Sequence, residues 1–343
     1  MKKLLNTLYI ISEDSYLSLD GENVVVQKGK EKIGRVPLHT IEGIVCFSYA
    51  GASPALMGAC CEKNIGLTFF SPNGRFLARV VGEEYGNVLL RKEQYRISDS
   101  KELSCIYARN MILGKVYNCR WSLERTLRDH SLRVDSDKIR DISQDLKTNL
   151  TYIRECEDLD NLRGIEGQTA SRYFSVFDEL ILNQKEKFYF RGRNRRPPLD
   201  NVNALLSLAY TVLTNEVANS LESVGLDPYV GFMHRDRPGR KSLALDMVEE
   251  LRGVVADRFV VTLINKKIIK DIHFDEQTDG AVILTDEGRK QFFNAWQLRK
   301  KEQITHPFLN EKIEWGLVPY VQALLLARAI RGDIDEYPPF LWK

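Results

Sequence analysis

The sequence predicts an α+β protein in which a small β-rich N-terminal domain precedes a larger, all-helical C-terminal domain. The chain has 343 residues, and a single hydrophobic core usually stops growing at about 250–300 residues, so we expect two domains. Apolar residues form short runs between turn residues up to about residue 82, and longer runs at helical spacing beyond it. We therefore place the domains at residues 1–82 and 101–343, joined by a linker at residues 83–100.

Short strands and tight turns dominate the predicted N-terminal domain. Ser53 is a suitable N-cap for one helix over Pro54–Lys63. Ile65–Phe70 and Phe76–Val81 predict a hairpin across the turn Ser71–Gly74, whose Pro, Asn and Gly favour a chain reversal. Earlier apolar or alternating runs predict strands at Thr7–Ser12, Tyr16–Leu19, Asn23–Gln27, Lys32–Val36 and Ile41–Phe47.

Helical periodicity dominates after the linker. Asp200 can cap a helix over Val202–Val224, which is apolar almost all round and is therefore the predicted central core helix. Ile272–Phe274 and Ala281–Leu284 predict one hairpin-like segment. The aromatic tail Glu336–Lys343 docks either on its own subunit or on a partner. Further helices are predicted at Leu103–Asp129, Asp135–Glu157, Ile165–Leu182, Ser242–Arg252 with Ser242 as N-cap, Val254–Ile264, Thr285–Lys301 and Ile313–Ile330.

The composition argues against several classes of protein. With 43% hydrophobic and 28% charged residues, the chain is typical of soluble globular proteins, and no apolar run approaches the ~20 residues of a membrane helix. None of the six cysteines forms a C-x-x-C pair, which argues against a zinc site or a disulfide framework and predicts a cytoplasmic protein with reduced thiols. The net charge of +2 is nearly neutral, so any nucleic-acid binding must depend on local clusters.

A basic turn followed by an acidic helix, Gly231–Arg252, is the candidate functional region. His234 lies in the turn, and Asp246 and Glu249 lie one helical turn apart on one face of the helix. Far upstream, Glu166 is flanked by two glycines, which leave room for a ligand or another backbone to approach. The alternative for Glu166 is a favourable interaction with the N-terminal turn of its own helix.

Glu166, His234 and Glu249 would form a metal site if they converged. Two carboxylates and one imidazole suit Mg²⁺ or Mn²⁺, with positions left for water and a substrate phosphate. Such an ion polarises a phosphoryl oxygen and stabilises the charge that develops on the leaving oxygen. The alternative is that His234 and the acids only pair with neighbouring arginines, as surface charges commonly do.

Two basic clusters accompany these residues and predict contact with a polyanion. Arginine offers a bidentate fork to phosphate and stays charged, and binding through such clusters would be strongly salt-dependent. The alternative is that both clusters are solvated loops. The predicted DNA-binding residues are Arg191, Arg193, Arg195 and Arg196 in the first cluster and Arg235, Arg237, Arg240 and Lys241 in the second.

Three motifs resemble those of the CRISPR-associated adaptation integrase family, the universal spacer-acquisition subunit, in that family's order and spacing. They are Gly164-Ile-Glu-Gly-Gln-Thr-Ala170, Arg193-Asn-Arg-Arg-Pro-Pro-Leu-Asp-Asn-Val-Asn-Ala-Leu-Leu-Ser207, and Gly231-Phe-Met-His234 followed by Leu245-Asp-Met-Val-Glu-Glu-Leu-Arg252. The resemblance covers most of the chain. The Arg-rich, double-proline motif and the overall length are most similar to the subtype found with type I-C systems.

The resemblance implies site residues and partners. The family's metal ligands fall on Glu166, His234 and Glu249, and Asp246 matches a second acidic position that can assist them as a catalytic residue. Family members act as homodimers, and we assign dimerisation to the N-terminal domain. Two dimers are bridged by a small ferredoxin-like second adaptation subunit into a heterohexamer, and an accessory iron–sulphur nuclease is a further possible partner.

The resemblance also implies the reaction. A protospacer would be inserted into the CRISPR array when each 3′-hydroxyl attacks a phosphodiester bond by direct transesterification, and double-stranded or branched DNA would be cleaved with water as the nucleophile. The leading hypothesis is therefore a metal-dependent DNA endonuclease and integrase. A non-catalytic DNA-binding scaffold is the alternative, and a hydrolase of small phosphate compounds is a weaker third because two basic clusters suit a long polyanion better.

Overall fold

The computed structural model describes residues 6–12, 14–71, 76–83 and 87–343. The predicted turn Ser71–Gly74 and part of the predicted linker extend outside these residues. The strands are β1 (Thr7–Ile10), β2 (Ser15–Asp20), β3 (Asn23–Lys28), β4 (Glu31–Pro37), β5 (Gly43–Cys46), β6 (Gly66–Phe70), β7 (Phe76–Val80), β8 (Phe274–Glu276), β9 (Val282–Leu284), β10 (Gln303–Thr305) and β11 (Lys312–Glu314). The helices are α1 (Pro54–Glu62), α2 (Val88–Asp99), α3 (Lys101–His130), α4 (Ser136–Glu155), α5 (Leu159–Ser175), α6 (Asn201–Ser223), α7 (Ser242–Leu251), α8 (Arg258–Asn265), α9 (Asp286–Lys301) and α10 (Val318–Ile330), with a π-helical segment at Arg252–Asp257.

The N-terminal part is β-rich with one helix, as the sequence predicts, and its strands form two small sheets. Strands β2, β3 and β4 make an antiparallel meander, while β1, β5, β6 and β7 form a mixed four-stranded sheet. Strands β5 and β6 run parallel, and helix α1 makes the crossover that a parallel pair requires. Ser53 caps α1 as predicted, because its side chain accepts a hydrogen bond from the backbone N–H of Leu56 at 3.2 Å.

The four-stranded sheet packs directly against the helical part through aromatic side chains. The ring of Tyr9 on β1 stacks on Phe293 of α9 with 4.2 Å between centroids, and the ring of Phe47 lies 5.1 Å from that of Phe293. Phe47 and Phe70 belong to the same buried cluster as the helices. The sheet therefore contributes to the core of the helical part, while the β-rich part also has a second buried cluster of its own, which includes Leu17 and Ile44.

Residues 88–99, within the predicted linker, form helix α2. This helix has an amphipathic pattern and buries its apolar side, including Ile97. The amide of Gln94 donates hydrogen bonds to the backbone oxygens of Asp227 and Val230 at 2.7 and 2.8 Å. Helix α2 therefore fixes the segment that leads from α6 into the candidate site.

Helix α3, 30 residues long, is the axis of the helical part and packs against α4, α5 and α7. Helix α6 begins as predicted after Asp200, whose carboxylate accepts a hydrogen bond from the backbone N–H of Asn203 at 2.7 Å. None of the described helices combines the length and apolar character that a membrane crossing requires.

Helix α5 begins before the predicted start at Ile165. The reason is a better cap upstream: the carboxylate of Asp158 accepts a hydrogen bond from the backbone N–H of Asn161 at 2.7 Å. Glu166 consequently lies in the middle of the helix, so the alternative in which it supports the N-terminal turn is wrong. The helix also ends earlier than predicted, at Ser175, and a short 3₁₀ turn follows it.

The C-terminal part is not all-helical, contrary to the prediction. Strands β8 and β9 form the predicted hairpin, and β10 and β11 form a second antiparallel pair that the sequence analysis missed. Because Lys312–Glu314 is a strand in this second pair, α10 begins at Val318 rather than at Ile313. Pro319 falls in the first turn of α10, where the missing N–H of proline is tolerated.

The aromatic tail docks on its own chain. The carboxylate of Glu250 on α7 accepts hydrogen bonds from the hydroxyl of Tyr337 and, at 2.9 Å, from the backbone N–H of Phe340. The amide of Asn118 on α3 donates to the backbone oxygen of Phe340 at 2.7 Å and accepts from the backbone N–H of Trp342 at 3.0 Å. Of the two alternatives for the tail, the structure shows docking on its own subunit.

Candidate active site

The predicted site residues come together around the middle of helix α3. Glu166 projects from α5, Glu249 and Asp246 project from α7, and His234 lies in the loop before α7. A fourth element, α3, contributes Lys115, which the sequence analysis missed. The sequence offers one signal for Lys115: its charge interrupts a run of mostly apolar residues in a predicted helix. In the structure this part of the helix is buried.

The ammonium of Lys115 lies between two of the predicted metal ligands. It donates a hydrogen bond to Oε1 of Glu166 and lies 2.6 Å from Oε2 of Glu249. The Lys115 side chain is only 4% exposed. Burial lowers the pKa of Lys115, but the carboxylates of Glu249 and Glu166 outweigh that effect and raise it, so the ammonium stays charged.

Glu249 is a buried carboxylate held in its ionised form by cations. Arg252, one turn later, donates a hydrogen bond to Oε1 of Glu249 at 2.8 Å. Burial alone would raise the pKa of Glu249, but Arg252 and Lys115 outweigh it and lower the pKa to about 2. Oε2 of Glu249 is buried and makes no hydrogen bond of regular geometry, but it faces the ammonium of Lys115 at 2.6 Å, so this oxygen already contacts a cation.

Asp246 supports the loop that carries His234. Its Oδ2 accepts hydrogen bonds from the backbone N–H groups of Phe232 and Met233 at 2.6 and 3.0 Å. Its Oδ1 accepts the backbone N–H of His234 at 3.0 Å and lies 2.5 Å from Nδ1 of the same residue. With Nδ1–H donated to Asp246, Nε2 of His234 keeps a lone pair that can bind a metal. The structure thus separates the paired acids of the sequence into a positioning residue, Asp246, and a candidate ligand, Glu249.

Contacts from other elements also fix this loop. A Cβ at Gly231 would come within 2.8 Å of Oδ2 of Asp246 and of the Ser242 backbone, so only glycine fits there. Arg163 on α5 donates hydrogen bonds to the backbone oxygen of Met233 at 2.6 and 2.9 Å. The prediction of Ser242 as N-cap is wrong, because Ser242 is the first residue of α7 and its hydroxyl donates instead to a backbone oxygen of the loop.

The donor set fits a hard divalent cation, although an ammonium lies between the carboxylates in this structure. Among the described residues, no three His, Cys, Asp or Glu side chains are grouped as a metal site. Glu166 and Glu249 nevertheless face one shared cation, Lys115, and His234 is close enough to lower the pKa of Glu249. Two carboxylates and an imidazole are ligands that Mg²⁺ and Mn²⁺ accept.

The fold and the family agree with the sequence resemblance. Residues 8–298 match the protein family described as CRISPR associated protein Cas1. The chain belongs to the Cas1 family. A relative from Chlorobaculum tepidum named CRISPR-associated endonuclease Cas1 1 is 47% identical over 343 residues, an alignment that covers 100% of both chains. The predicted family is therefore confirmed, and its curated relative bears the name of a nuclease.

Solved structures show that the Cas1 fold extends over the whole chain. One is described as "Casposase bound to integration product" and matches with a TM-score of 0.83 at 21% identity, covering 98% of this chain and 93% of the other. Another is described as "Cas6-RT-Cas1--Cas2 complex" and matches with a TM-score of 0.82 at 22% identity, covering 98% of this chain and 36% of the other. At these identities the likeness shows the shared fold.

The predicted DNA-binding residues of this Cas1 family member divide into outward-facing and inward-facing groups. Arg193 is turned inward, where it donates hydrogen bonds to Asn203 at 2.6 Å and to the hydroxyl of Ser207 at 3.1 Å. Lys241 is also turned inward, since it donates to Asn215 at 2.6 Å, and burial lowers its pKa to about 8. Arg240 is half-buried. The exposed cations are Arg191, Arg195, Arg196, Arg235 and Arg237.

Proposed function

We propose that this chain is a metal-dependent DNA endonuclease and integrase that inserts protospacer DNA into a CRISPR array by 3′-hydroxyl transesterification. The observation that carries the proposal is the pair of carboxylates, Glu166 and Glu249, that faces one cation beside a histidine oriented by Asp246. Membership of the Cas1 family supports the nuclease and integrase class.

Glu166, Glu249 and Nε2 of His234 would hold the metal. When bound, Mg²⁺ or Mn²⁺ would polarise the scissile phosphoryl oxygen and stabilise the leaving oxygen. Asp246 keeps the imidazole in the tautomer that leaves Nε2 free. Arg252 holds Glu249 ionised and in place, because its guanidinium donates a hydrogen bond to Oε1 of Glu249. Water as nucleophile would give cleavage, and a DNA 3′-hydroxyl at the same position would give strand joining.

Branched DNA tests the proposal directly. We expect the purified protein to cleave a branched DNA in Mn²⁺ or Mg²⁺ and to lose that activity in EDTA, because hydrolysis at this site depends on a Lewis acid. The measurement is the separation of labelled strands on a denaturing gel. The Glu166→Ala/His234→Ala double variant serves as the control for a contaminating nuclease. Full cleavage in EDTA, or by the double variant, would refute the proposal.

The non-catalytic scaffold remains the second candidate, because the pairing of Lys115 with both carboxylates satisfies their charges without any metal. The exposed arginines would then bind DNA through phosphate contacts alone. This candidate predicts salt-sensitive DNA binding that is indifferent to divalent metal, together with no cleavage and no joining in the branched-DNA assay.

The partners belong to the proposal as well. The chain would act as a homodimer and assemble with the small ferredoxin-like second adaptation subunit into a heterohexamer that holds protospacer and repeat DNA. The structural neighbour that was solved as part of a Cas1–Cas2 complex supports such an assembly for this fold. An accessory iron–sulphur nuclease, a type I-C setting and a cytoplasmic location, with no membrane partner, rest on the sequence predictions alone.

The inward and outward arginines should respond differently to mutation. Arg195→Ala/Arg196→Ala removes two exposed cations, so we expect the slope of log affinity against log salt for duplex DNA to fall by about 1.8. Arg193→Ala should instead lower the melting temperature, because it removes the hydrogen bonds that hold the arginine loop to Asn203 and Ser207 of α6. Fluorescence anisotropy across a salt series and thermal melting separate the two effects.

A matched control removes two exposed cations outside both clusters. Arg128 lies on α3 and Arg140 on α4. The variant Arg128→Ala/Arg140→Ala therefore lowers the net charge by the same amount as Arg195→Ala/Arg196→Ala, and it should leave the salt slope close to that of the wild type. An equal loss of slope in both double variants would show that only the total charge matters, and would contradict a role for the Arg195–Arg196 cluster in DNA contact.

A further inference from the structure

Lys115 lies near two sets of carboxylates and forms ion pairs with only one of them. Its ammonium pairs with Glu166 and Glu249, as described above. Lys115 also lines a small cavity together with Asp257, the last residue of the π-helical segment. A lysine side chain has four rotatable bonds, so its ammonium can move between positions while the backbone of α3 stays in place.

Asp257 is an unusual anion, because its buried carboxylate forms no ion pair with any described residue. Oδ1 accepts a hydrogen bond from the hydroxyl of Tyr210. Oδ2 is buried and makes no hydrogen bond of regular geometry, and the residue is 1% exposed. The hydroxyl of Tyr173 also interacts with this carboxylate, but it is neutral. A buried carboxylate without a paired cation is unfavourable, and an ammonium that arrives in a second state of the protein would supply the opposite charge.

Charge balance shows why a second state is needed. Without metal, the carboxylates of Glu166 and Glu249 are neutralised by Lys115 and Arg252. A divalent ion added to this group would leave two uncompensated positive charges in a buried site, which is strongly unfavourable. It would also need the space next to Oε2 of Glu249 that the ammonium occupies at 2.6 Å. Departure of the ammonium toward Asp257 frees that space and reduces the excess at the site from two positive charges to one.

We propose that Lys115 is a two-position cation, which bridges Glu166 and Glu249 in the metal-free protein and moves to Oδ2 of Asp257 when a divalent metal binds. The inference rests on the proposed function, since it assumes that Glu166 and Glu249 are metal ligands. In the metal-free state the ammonium keeps the buried carboxylate of Glu249 and the partly exposed carboxylate of Glu166 together, so the site is formed before the metal arrives. In the metal-bound state the Lys115–Asp257 pair is neutral, and the net positive charge left at the site favours a DNA phosphate.

Mn²⁺ titration of the purified, DNA-free protein tests the competition. Lys115→Met removes the competing ammonium at similar side-chain length, so we expect Mn²⁺ to bind about tenfold more tightly or more than in the wild type. Asp257→Asn removes the second position, so Mn²⁺ should bind several-fold more weakly. Isothermal calorimetry or the electron paramagnetic resonance signal of free Mn²⁺ gives the affinities without an activity assay.

The control is Lys300→Met, which removes another largely buried lysine whose carboxylate partner, Glu216 at 3.0 Å, lies outside the site. It should leave Mn²⁺ affinity unchanged. Equal or weaker Mn²⁺ binding by Lys115→Met would overturn the two-position inference while the metal site itself stands. A wild-type protein whose Mn²⁺ binding is absent, or is unaffected by Glu166→Ala, would instead overturn the proposed function.

A crystal of the wild-type protein soaked in Mn²⁺ decides the matter if Lys115→Met does not fold. We expect an anomalous peak bounded by Glu166, Glu249 and His234, with Nζ of Lys115 within hydrogen-bond distance of Oδ2 of Asp257. A peak at that place with the ammonium still bridging both glutamates would refute the displacement.

Discussion

Replacing His234 with alanine is expected to lower Mn²⁺-dependent cleavage of branched DNA by about 10³-fold, because loss of the metal removes several kcal/mol of transition-state stabilisation. The fold should survive, since the imidazole is partly exposed and makes its described side-chain hydrogen bond to Asp246 alone. Initial cleavage rates at saturating DNA measure the loss, and thermal melting in EDTA verifies the fold.

Asp246→Asn gives the graded comparison for His234→Ala. The amide can no longer accept hydrogen bonds at both oxygens, so the 232–234 backbone and the His234 ring lose part of their support. Loss of such a supporting partner typically costs about 10–100-fold in metal affinity or activity. A His234→Ala variant that cleaves as fast as the wild type, with Asp246→Asn equally active, would exclude the imidazole from the metal site.

Glu250→Ala is expected to destabilise the protein strongly, lowering the free energy of unfolding by about 3–5 kcal/mol. Its carboxylate accepts hydrogen bonds from Tyr337, from Phe340 and, at 3.1 Å, from Gln322, all of them buried. Alanine removes the acceptor for the Tyr337 hydroxyl and the Phe340 N–H inside the core and releases the aromatic tail from α7, while Gln322 keeps its bonds to Tyr337 and Pro338. Urea unfolding followed by far-UV circular dichroism gives the change in free energy.

Glu250→Gln separates the loss of hydrogen bonds from the loss of charge. Burial raises the pKa of Glu250 to about 7 despite the hydrogen bonds that oppose the shift. Because the pKa of Glu250 is higher in the folded state than in the unfolded state, the protonated carboxyl stabilises the fold. This contribution of Glu250 is complete below about pH 4.5 and is lost as the pH rises through 7. The Gln variant should lack this decline between pH 5 and 8. A Glu250→Ala variant within 1 kcal/mol of the wild type would contradict the anchoring role.

Local signals in the sequence predict the helices whose first residues are capped by nearby side chains. Ser53 and Asp200 both accept the hydrogen bonds expected of N-caps. The predicted start of α5 is wrong because two candidate beginnings compete, and the carboxylate of Asp158 caps the earlier one. The pair β10–β11 escapes prediction because its strands are short and lack a clear turn signal between them, whereas Asp279-Gly280 marks the turn between the equally short β8 and β9.

The composition of the site is only partly predictable from the sequence. The motifs around Glu166, His234 and Glu249 single out these residues, but helical spacing cannot show that Asp246 binds backbone N–H groups while Glu249 faces a cation. Lys115 belongs to none of the three motifs, and its role emerges only when α3, α5 and α7 meet. The inward turn of Arg193 likewise depends on α6 lying beside its loop.

The aromatic contact between the β-sheet and helix α9 bears on how the protein can be divided. The boundary that the sequence suggests near residue 100 separates two patterns of secondary structure, but Tyr9 and Phe47 fill a surface that belongs to the helical part. A fragment made of the helices alone would expose Phe293 and its neighbours to water, and such apolar patches promote self-association. The β-rich and helical parts are thus separate in topology, but the helical part needs the sheet to cover this apolar surface.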